Sequence, residues 1–446
     1  MFEVNTNRLD QAFARIQAYP SRDASLDQRF RELILSAEDE RLNRLNAYTL
    51  AAAWGVSEPP ILLWLIYASR VGLFDLHWVT HCGHCNGTTG MAARMGEVGH
   101  ETYCKMCESG TPIHSDENIE VAFTVNPAIR PTQESLKANM APGAVPIGQW
   151  DGKQPITLNL DRPGKYYLLN LQDGHPSAAS RFDVEKDSAP RSEITIVYSP
   201  EIASPSELKV GLGSMTVTTE GATHIVGIFR DFVAPLPPRR VTGLDVMLLP
   251  EFKEIFAHDT LSQRESLSVK SLTILFTDIT GSTTLYRHLG DVRAYNLVRD
   301  HFDVLFREIE RFDGLVIKTI GDSVMAAFAS PDHALSAALA VQHSIKQFNQ
   351  NRKVEDGNIL VKIGLHEGSA IAVNLNNTLD YFGNMVNLAA RIQSKSRSNE
   401  VLLSEQVRRD TEVQRILDAD PSLIVTDSLF ELQGIGEERL FSIMTQ

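Results

Sequence analysis

The chain has 446 residues, 43% of them hydrophobic and 22% charged, with a formal net charge of −14. This length exceeds one ordinary core and suits about two to four domains, while the balance of apolar and charged residues excludes wholesale disorder. The acidic charge excludes a general nucleic-acid coat, because neutralising phosphates takes an excess of Lys and Arg.

The N-terminus, MFEVNTNRLDQAF, lacks the basic segment and apolar run of a secretory signal. The longest apolar stretch, ILLWLIYA at 61–68, falls far short of the ~20 residues of a membrane-spanning helix. A cytoplasmic protein without a membrane partner is expected. Residues 28–50 carry Phe30, Leu33, Ile34, Leu42 and Leu45 at helical spacing, and the segment that follows reads as helix, turn at Gly55, helix and strand. Residues 1–80 are therefore read as a small helical, winged-helix-like unit. Its helix ILLWLIYASRVGL has a single Arg, which points to packing or dimerisation and away from a nucleic-acid partner.

Cys82-x2-Cys85-x18-Cys104-x2-Cys107 has the spacing of a zinc ribbon, and the segment 81–125 is assigned to one. Four thiolates close a tetrahedral shell, so the expected ion is a structural Zn2+; a redox switch and unliganded thiols are the competing readings. His77, His81, His84 and His100 lie nearby as substitute ligands.

From 126 to 233 the runs ITLNL, YYLLNL, EITIVYS, MTVTT and HIVGIFRDF alternate or are β-branched between Gly, Pro, Asp and Ser, the pattern of an all-β sandwich. Its place ahead of the last domain suits a sensor or regulatory role for an unknown ligand or protein. Residues 234–268 read as a stiff connector, APLPPRR, and a transducer helix in LDVMLLPEFKEIF. Val246, Leu249, Phe252 and Phe256 are spaced to form one face of that helix, able to pack against a symmetry mate. From 269 to 446 strands (SLTILFTD, GLVIKTI, VMAAFA, LVKIGLHEG) alternate with helices, which indicates an α/β domain.

The chemistry concentrates in that domain. LTILFTDITGST places Asp278 at a strand end, followed by a helix start whose free N–H groups can cradle phosphate. GLVIKTIGDSVMAAF puts Lys318 and Asp322 where a structural hairpin would hold apolar side chains. An isolated Asp after a strand is ordinarily a cap or turn residue. Two at adjacent strand ends can hold a pair of hard divalent cations. Asn387 and Arg391 stand four apart in GNMVNLAARI and share a helix face.

FTDITGST, KTIGDSVMAAF and DYFGNMVNLAAR together resemble the catalytic domain of class III adenylate and guanylate cyclases, over nearly all of 269–446. The resemblance implies a ferredoxin-like palm. It also implies two Mg2+ or Mn2+ ions on Asp278, Asp322 and the carbonyl of Ile279, with Thr280, Gly281, Ser282 and Thr283 around the substrate phosphates. Lys318 and Asp380 fall on the family's adenine-reading positions: an ammonium donates to N1 and a carboxylate accepts from the N6 amino group, a pair that guanine's N1 donor and O6 acceptor oppose. Asn387 is implied to orient the ribose, and Arg391 to stabilise charge on the α-phosphate. The family works as a head-to-tail dimer, so a homodimer with composite sites acting on ATP is expected. Many members carry a triphosphate-contacting Lys where Ile435 stands here, with Arg439 the nearest cation. Cyclisation of GTP or a pyrimidine triphosphate, and a degenerate nucleotide-sensing module, are the alternatives.

Overall fold

In the computed structural model residues 3–445 are described, apart from 105–106, 108, 133–143, 173–174, 201, 231–238, 257–265, 353–356 and 376–377. Their contacts separate two units. The first comprises Met1–Ala93, Glu97–Ile113 and Asn118–Val241, and the second Arg94–Gly96, His114–Glu117 and Thr242–Gln446. No helix among the described residues is long and apolar enough to cross a membrane.

The first unit opens with helices α1 (Thr6–Ile16), α2 (Leu26–Ser36), α3 (Ala47–Trp54) and α4 (Glu58–Arg70). Leu9, Ala12, Phe13 and Ile16 recur every three or four residues along α1 and are its buried face. Trp64 of α4 is fully buried and stacks on Phe30 of α2 at 3.7 Å between ring centroids. The last turn of α2 leaves carbonyls without helical partners. Arg130 satisfies them: its fully buried guanidinium donates to the carbonyls of Ile34 (2.7 Å) and Ala37 (2.6 Å) and pairs with Asp39 (2.9 Å).

Strands β1 (Phe74–His81), β2 (Thr88–Ala92), β3 (Glu101–Cys104), β4 (Ser109–Pro112) and β5 (Ile119–Val125) follow. They form a sheet of order β2-β1-β5 and a separate β3-β4 hairpin. β1 continues past residue 80 and pairs with β5 from Phe74↔Val125 to Thr80↔Ile119, so residues expected in two segments share one sheet. Beyond them lie β6 (Ala144–Trp150), β7 (Ile156–Leu160), β8 (Gly164–Gln172), β9 (His175–Val184), β10 (Glu193–Tyr198), β11 (Ala203–Ser204), β12 (Glu207–Val210), β13 (Gly213–Glu220) and β14 (Ile225–Arg230). Sheets of order β11-β10-β13-β7 and β12-β9-β8-β14-β6 enclose one core, with Leu158, Ile196 and Val217 from the first meeting Leu168, Phe182 and Phe229 from the second.

The expected transducer helix is broken in two, α5 (Gly243–Met247) and α6 (Pro250–Ile255). Pro250 cannot donate to the preceding turn and forces Leu249 into an extended conformation, ψ 123°. Val246 and Phe252 are buried in this chain, which removes them from the face expected to meet a symmetry mate. Residues 231–238 and 257–265 of the expected linker lie outside the described residues.

The second unit continues with β15 (Ser266–Ile279), α7 (Ser282–Leu289), α8 (Asp291–Arg311), β16 (Leu315–Ile320), β17 (Ser323–Phe328), α9 (Pro331–Gln350), β18 (Val361–Leu375) and β19 (Thr378–Phe382). It ends with α10 (Asn384–Lys395), β20 (Val401–Ser404), α11 (Glu405–Arg409), α12 (Thr411–Ala419), β21 (Leu423–Leu432) and β22 (Gly436–Thr445). The sheet order is β16-β17-β15-β18-β20-β22-β21, with β19 added on β18. Its first four strands are antiparallel neighbours in the β-α-β-β-α-β order of a ferredoxin-like palm. Leu297 and Leu305 of α8 and Leu335, Ala338 and Val341 of α9 pack on Leu275, Ala326 and Ile363 of the sheet.

Candidate active site

β15 is buried from Leu272 to Thr277, mostly by apolar side chains, and Asp278 follows near its end. Asp278 is half-buried; its Oδ1 accepts from Ser323 Oγ (3.0 Å) and its Oδ2 pairs with Lys362 Nζ (2.7 Å). Asp322, next to Ser323, sits in the β16–β17 turn, where Gly321 takes the left-handed φ of 65° that a tight reversal needs. Its Oδ2 is buried without a hydrogen-bond partner. Two carboxylates at one corner of the sheet, one with an orphaned oxygen and the other neutralised by an ammonium, fit a site for hard divalent cations. The Ile279 carbonyl belongs to the same strand end, opposite Val361.

Thr280 and Gly281 lead into α7. Thr280 N is used by the carbonyl of Leu360, and the first helical bond runs from Thr284 N to Gly281 O. Ser282 and Thr283 therefore precede the helical ladder, at the end where the dipole favours anions.

Lys318 and Asp380 meet directly, Nζ to Oδ2 at 2.6 Å. Asp380 is 5% exposed, and its Oδ1 accepts from Tyr381 N (2.9 Å). The Lys318 ammonium lies 5.8 Å from the Phe382 ring centroid. Beside this pair opens a cavity of about 850 Å³ whose walls include Ser268, His366, Ser369, Phe382, Asn387, Arg391 and Ile435. Asn387 and Arg391 thus face one cavity, and Ile435 gives it an apolar wall. Arg439 is elsewhere, held by Asp427 (Nε to Oδ2, 2.8 Å). Asp278, Asp322 and Lys318 do not line the cavity. Burial pushes the His366 imidazole down to about 4, so it is neutral at physiological pH.

The sequence reading missed Lys362 and His366. Lys362 interrupts an apolar strand as Lys318 does, a signal that was readable, but only the Asp278↔Lys362 register shows what it faces.

The four cysteines form a second site. Their sulfurs lie within 4.8 Å of one another, and Cys85 and Cys104 are 3.7 Å apart. Tetrahedral Zn–S bonds of ~2.3 Å require sulfurs about 3.8 Å apart, so the cluster fits such an ion. Backbone N–H groups of His84 and Gly87 point at Cys82 Sγ and Cys85 Sγ, both at 3.4 Å. His81 is not among these sulfurs; it is buried against Glu120, Nε2 to Oε2 at 2.7 Å, and Glu120 also takes Arg44 Nη2 at 3.1 Å.

Residues 265–443 match the family model described as the adenylate and guanylate cyclase catalytic domain, and residues 9–142 match a family of unknown function (DUF5939). An adenylate cyclase of Anabaena cylindrica is 31% identical over 32% of this chain and 31% of its own length. Adenylate cyclase 1 of Rhizobium meliloti is 28% identical over 31% of this chain and 23% of its own. The chain thus spans less than a third of these relatives. A crystal structure of the adenylyl cyclase CyaB from P. aeruginosa is similar with a TM-score of 0.36 and 22% identity, covering 41% of this chain and 97% of that one.

Proposed function

We propose that this chain, whose residues 265–443 match the adenylate and guanylate cyclase catalytic domain, converts ATP to 3′,5′-cyclic AMP and pyrophosphate as a homodimer regulated by its first unit. The observation that carries the choice of ATP is the Lys318–Asp380 pair. It holds a cationic donor beside an anionic acceptor, the complement of adenine's N1 and N6.

In this reading the ribose 3′-oxygen attacks the α-phosphorus, the bond to pyrophosphate breaks, and the hydroxyl proton leaves to solvent. Mg2+ or Mn2+ held by Asp278, Asp322 and the Ile279 carbonyl supplies Lewis acidity toward that hydroxyl and the triphosphate. Lys362, now paired with Asp278, would be freed by a cation on that carboxylate to donate to phosphate oxygens. Thr280 to Thr283 receive the phosphates at the start of α7. Asn387 orients the ribose, and Arg391 stabilises the charge that grows on the α-phosphate. Exposed apolar residues around the base-reading pair, Ile371, Leu375 and Phe382, suit cover by a second copy of the chain. The cysteine cluster holds a structural Zn2+ in the first unit.

Purified protein given ATP and Mn2+ is expected to release 3′,5′-cyclic AMP, with a specific rate that falls on dilution as the dimer dissociates. Asp278→Ala should abolish the product. No cyclic nucleotide from ATP at any protein concentration refutes the reading, and cyclisation of GTP in its place transfers it to that substrate.

A further inference from the structure

The base-reading pair is brought together by a bend, and the bend is held from outside the catalytic sequence. Lys318 stands opposite Met325, which stands opposite Phe276 of β15. Asp380 stands opposite Val373, which stands opposite Ser266 of the same strand. On a straight ladder ten residues of β15 would separate the two levels by about 30 Å. The 2.6 Å contact between the side chains therefore requires the ladder to curl sharply between Ser266 and Phe276.

That stretch contains the register shift of the β15–β18 ladder. Val269 pairs with Ala370 and Leu272 with Gly368, so Lys270 and Ser271 together oppose Ser369. Such a bulge bends a strand and leaves backbone groups off the ladder. Here both amides have a partner. Asp116 Oδ1 accepts from Lys270 N at 2.9 Å and Asp116 Oδ2 from Ser271 N at 2.8 Å.

The neighbours of Asp116 reinforce this grip. Ser115 N donates to Ser268 O (2.9 Å), His114 Nδ1 meets Ser268 Oγ (3.1 Å), and Lys270 Nζ reaches Glu117 Oε1 (2.6 Å). Leu244 N in turn donates to Ser115 O (3.1 Å). By its contacts the segment His114–Glu117 belongs to the second unit, although in the chain it joins β4 to β5. The bulge also borders the cavity, since Ser268, Ser369 and Ala370 line it. Ser271 Oγ donates to Glu367 and ties the next rung as well.

We infer that Asp116 is a positioning residue for base recognition: by bridging the two bulge amides it fixes the curl that delivers Asp380 to Lys318. The inference rests on the proposed adenine reading. An ionised carboxylate is suited to the task, because its two oxygens can each accept a charge-assisted bond from adjacent N–H groups. Asn offers one acceptor and would turn a donor toward the other amide.

The test uses the full chain and its Asp116→Ala and Asp116→Asn variants, with zinc content and melting temperature confirming that each is folded. Amide exchange at Lys270 and Ser271 should accelerate in Asp116→Ala. The preference for ATP over GTP, measured as the ratio of kcat/KM, should fall about tenfold as Asp380 loses its fixed place. Asp116→Asn should lie between. The same preference is read by calorimetry as the affinity for α,β-methylene-ATP over α,β-methylene-GTP, which cannot release pyrophosphate. That measurement survives even if turnover of ATP fails and the cyclase reading falls. Faster exchange with an unchanged nucleotide preference overturns the positioning role. Unchanged exchange overturns the clamp itself, and a wild type that binds neither analogue overturns the assignment of the pair to base recognition.

Discussion

Replacing Asp380 by Asn preserves the shape of the side chain and removes its charge. The carboxylate now accepts two bonds, from Lys318 Nζ at 2.6 Å and from Tyr381 N at 2.9 Å, in surroundings that leave it 5% exposed. An Asn at this place can accept only one of them, because its amide nitrogen must face either the ammonium or the peptide N–H. One charge-assisted hydrogen bond is lost, worth ~1.5–3 kcal/mol, and the loss should fall at the lower end because the Lys318 side chain is 40% exposed. In the proposed ATP complex the same change would remove the acceptor for the N6 amino group and present a donor to it. We therefore expect kcat/KM for ATP to drop about 10- to 100-fold. GTP, whose O6 can accept from the new amide, should lose less or gain. Initial rates with each nucleotide, separated by chromatography of the cyclic products, measure both. An unaltered ATP-to-GTP ratio would refute the reasoning, since it would place base recognition away from this pair.

Arg130→Ala should destabilise the first unit by about 3–5 kcal/mol, because it leaves the carbonyls of Ile34 and Ala37 and the Asp39 carboxylate without their buried partner; urea unfolding of the variant measures it. Gly364→Ala should impair turnover more than any exposed substitution nearby. A Cβ there would lie 2.3 Å from Gln393 N, a backbone atom of the helix that carries Asn387 and Arg391, and kcat reads the displacement. His366 gives a pH dependence of known sign. Its folded pKa of about 4 lies below the ordinary 6.5, so the unfolded chain binds the extra proton first and stability falls as pH drops from about 6.5 toward 4. His366→Gln should flatten that part of the stability profile, and a profile identical to wild type would exclude the assignment.

The candidate site was legible through FTDITGST, KTIGDSVMAAF and DYFGNMVNLAAR taken together, since Asp278 or Asp322 alone reads as an ordinary cap or turn residue. Partners set by register were not legible. Lys362 faces Asp278, and Asp380 reaches Lys318, only through pairings between segments distant in the chain. β19 was not legible either, because Thr378–Phe382 gain strand character only by pairing with the extension of β18 past Ser369. The β21–β22 hairpin escaped for a related reason: β21 is an edge strand exposed on both faces for most of its length, so it shows no inward alternation. The break at Pro250 was readable from composition alone and was overridden by the apolar spacing around it.

The pairing of β1 with β5 has a bearing on how the first unit can vary. Between β1 and β5 the chain adds β2 to the sheet and then leaves it, and the two ends of residues 82–118 are pinned side by side by His81 N, which donates to Asn118 O at 2.8 Å. This excursion carries all four cysteines, the β3–β4 hairpin and the grip of Asp116 on β15. A closed excursion of this kind can lengthen or shorten at small entropic expense, since closure entropy grows only with the logarithm of loop length. The residues around the cysteines can therefore change in number while the pinned ends and the contacts of His114–Glu117 stay as they are.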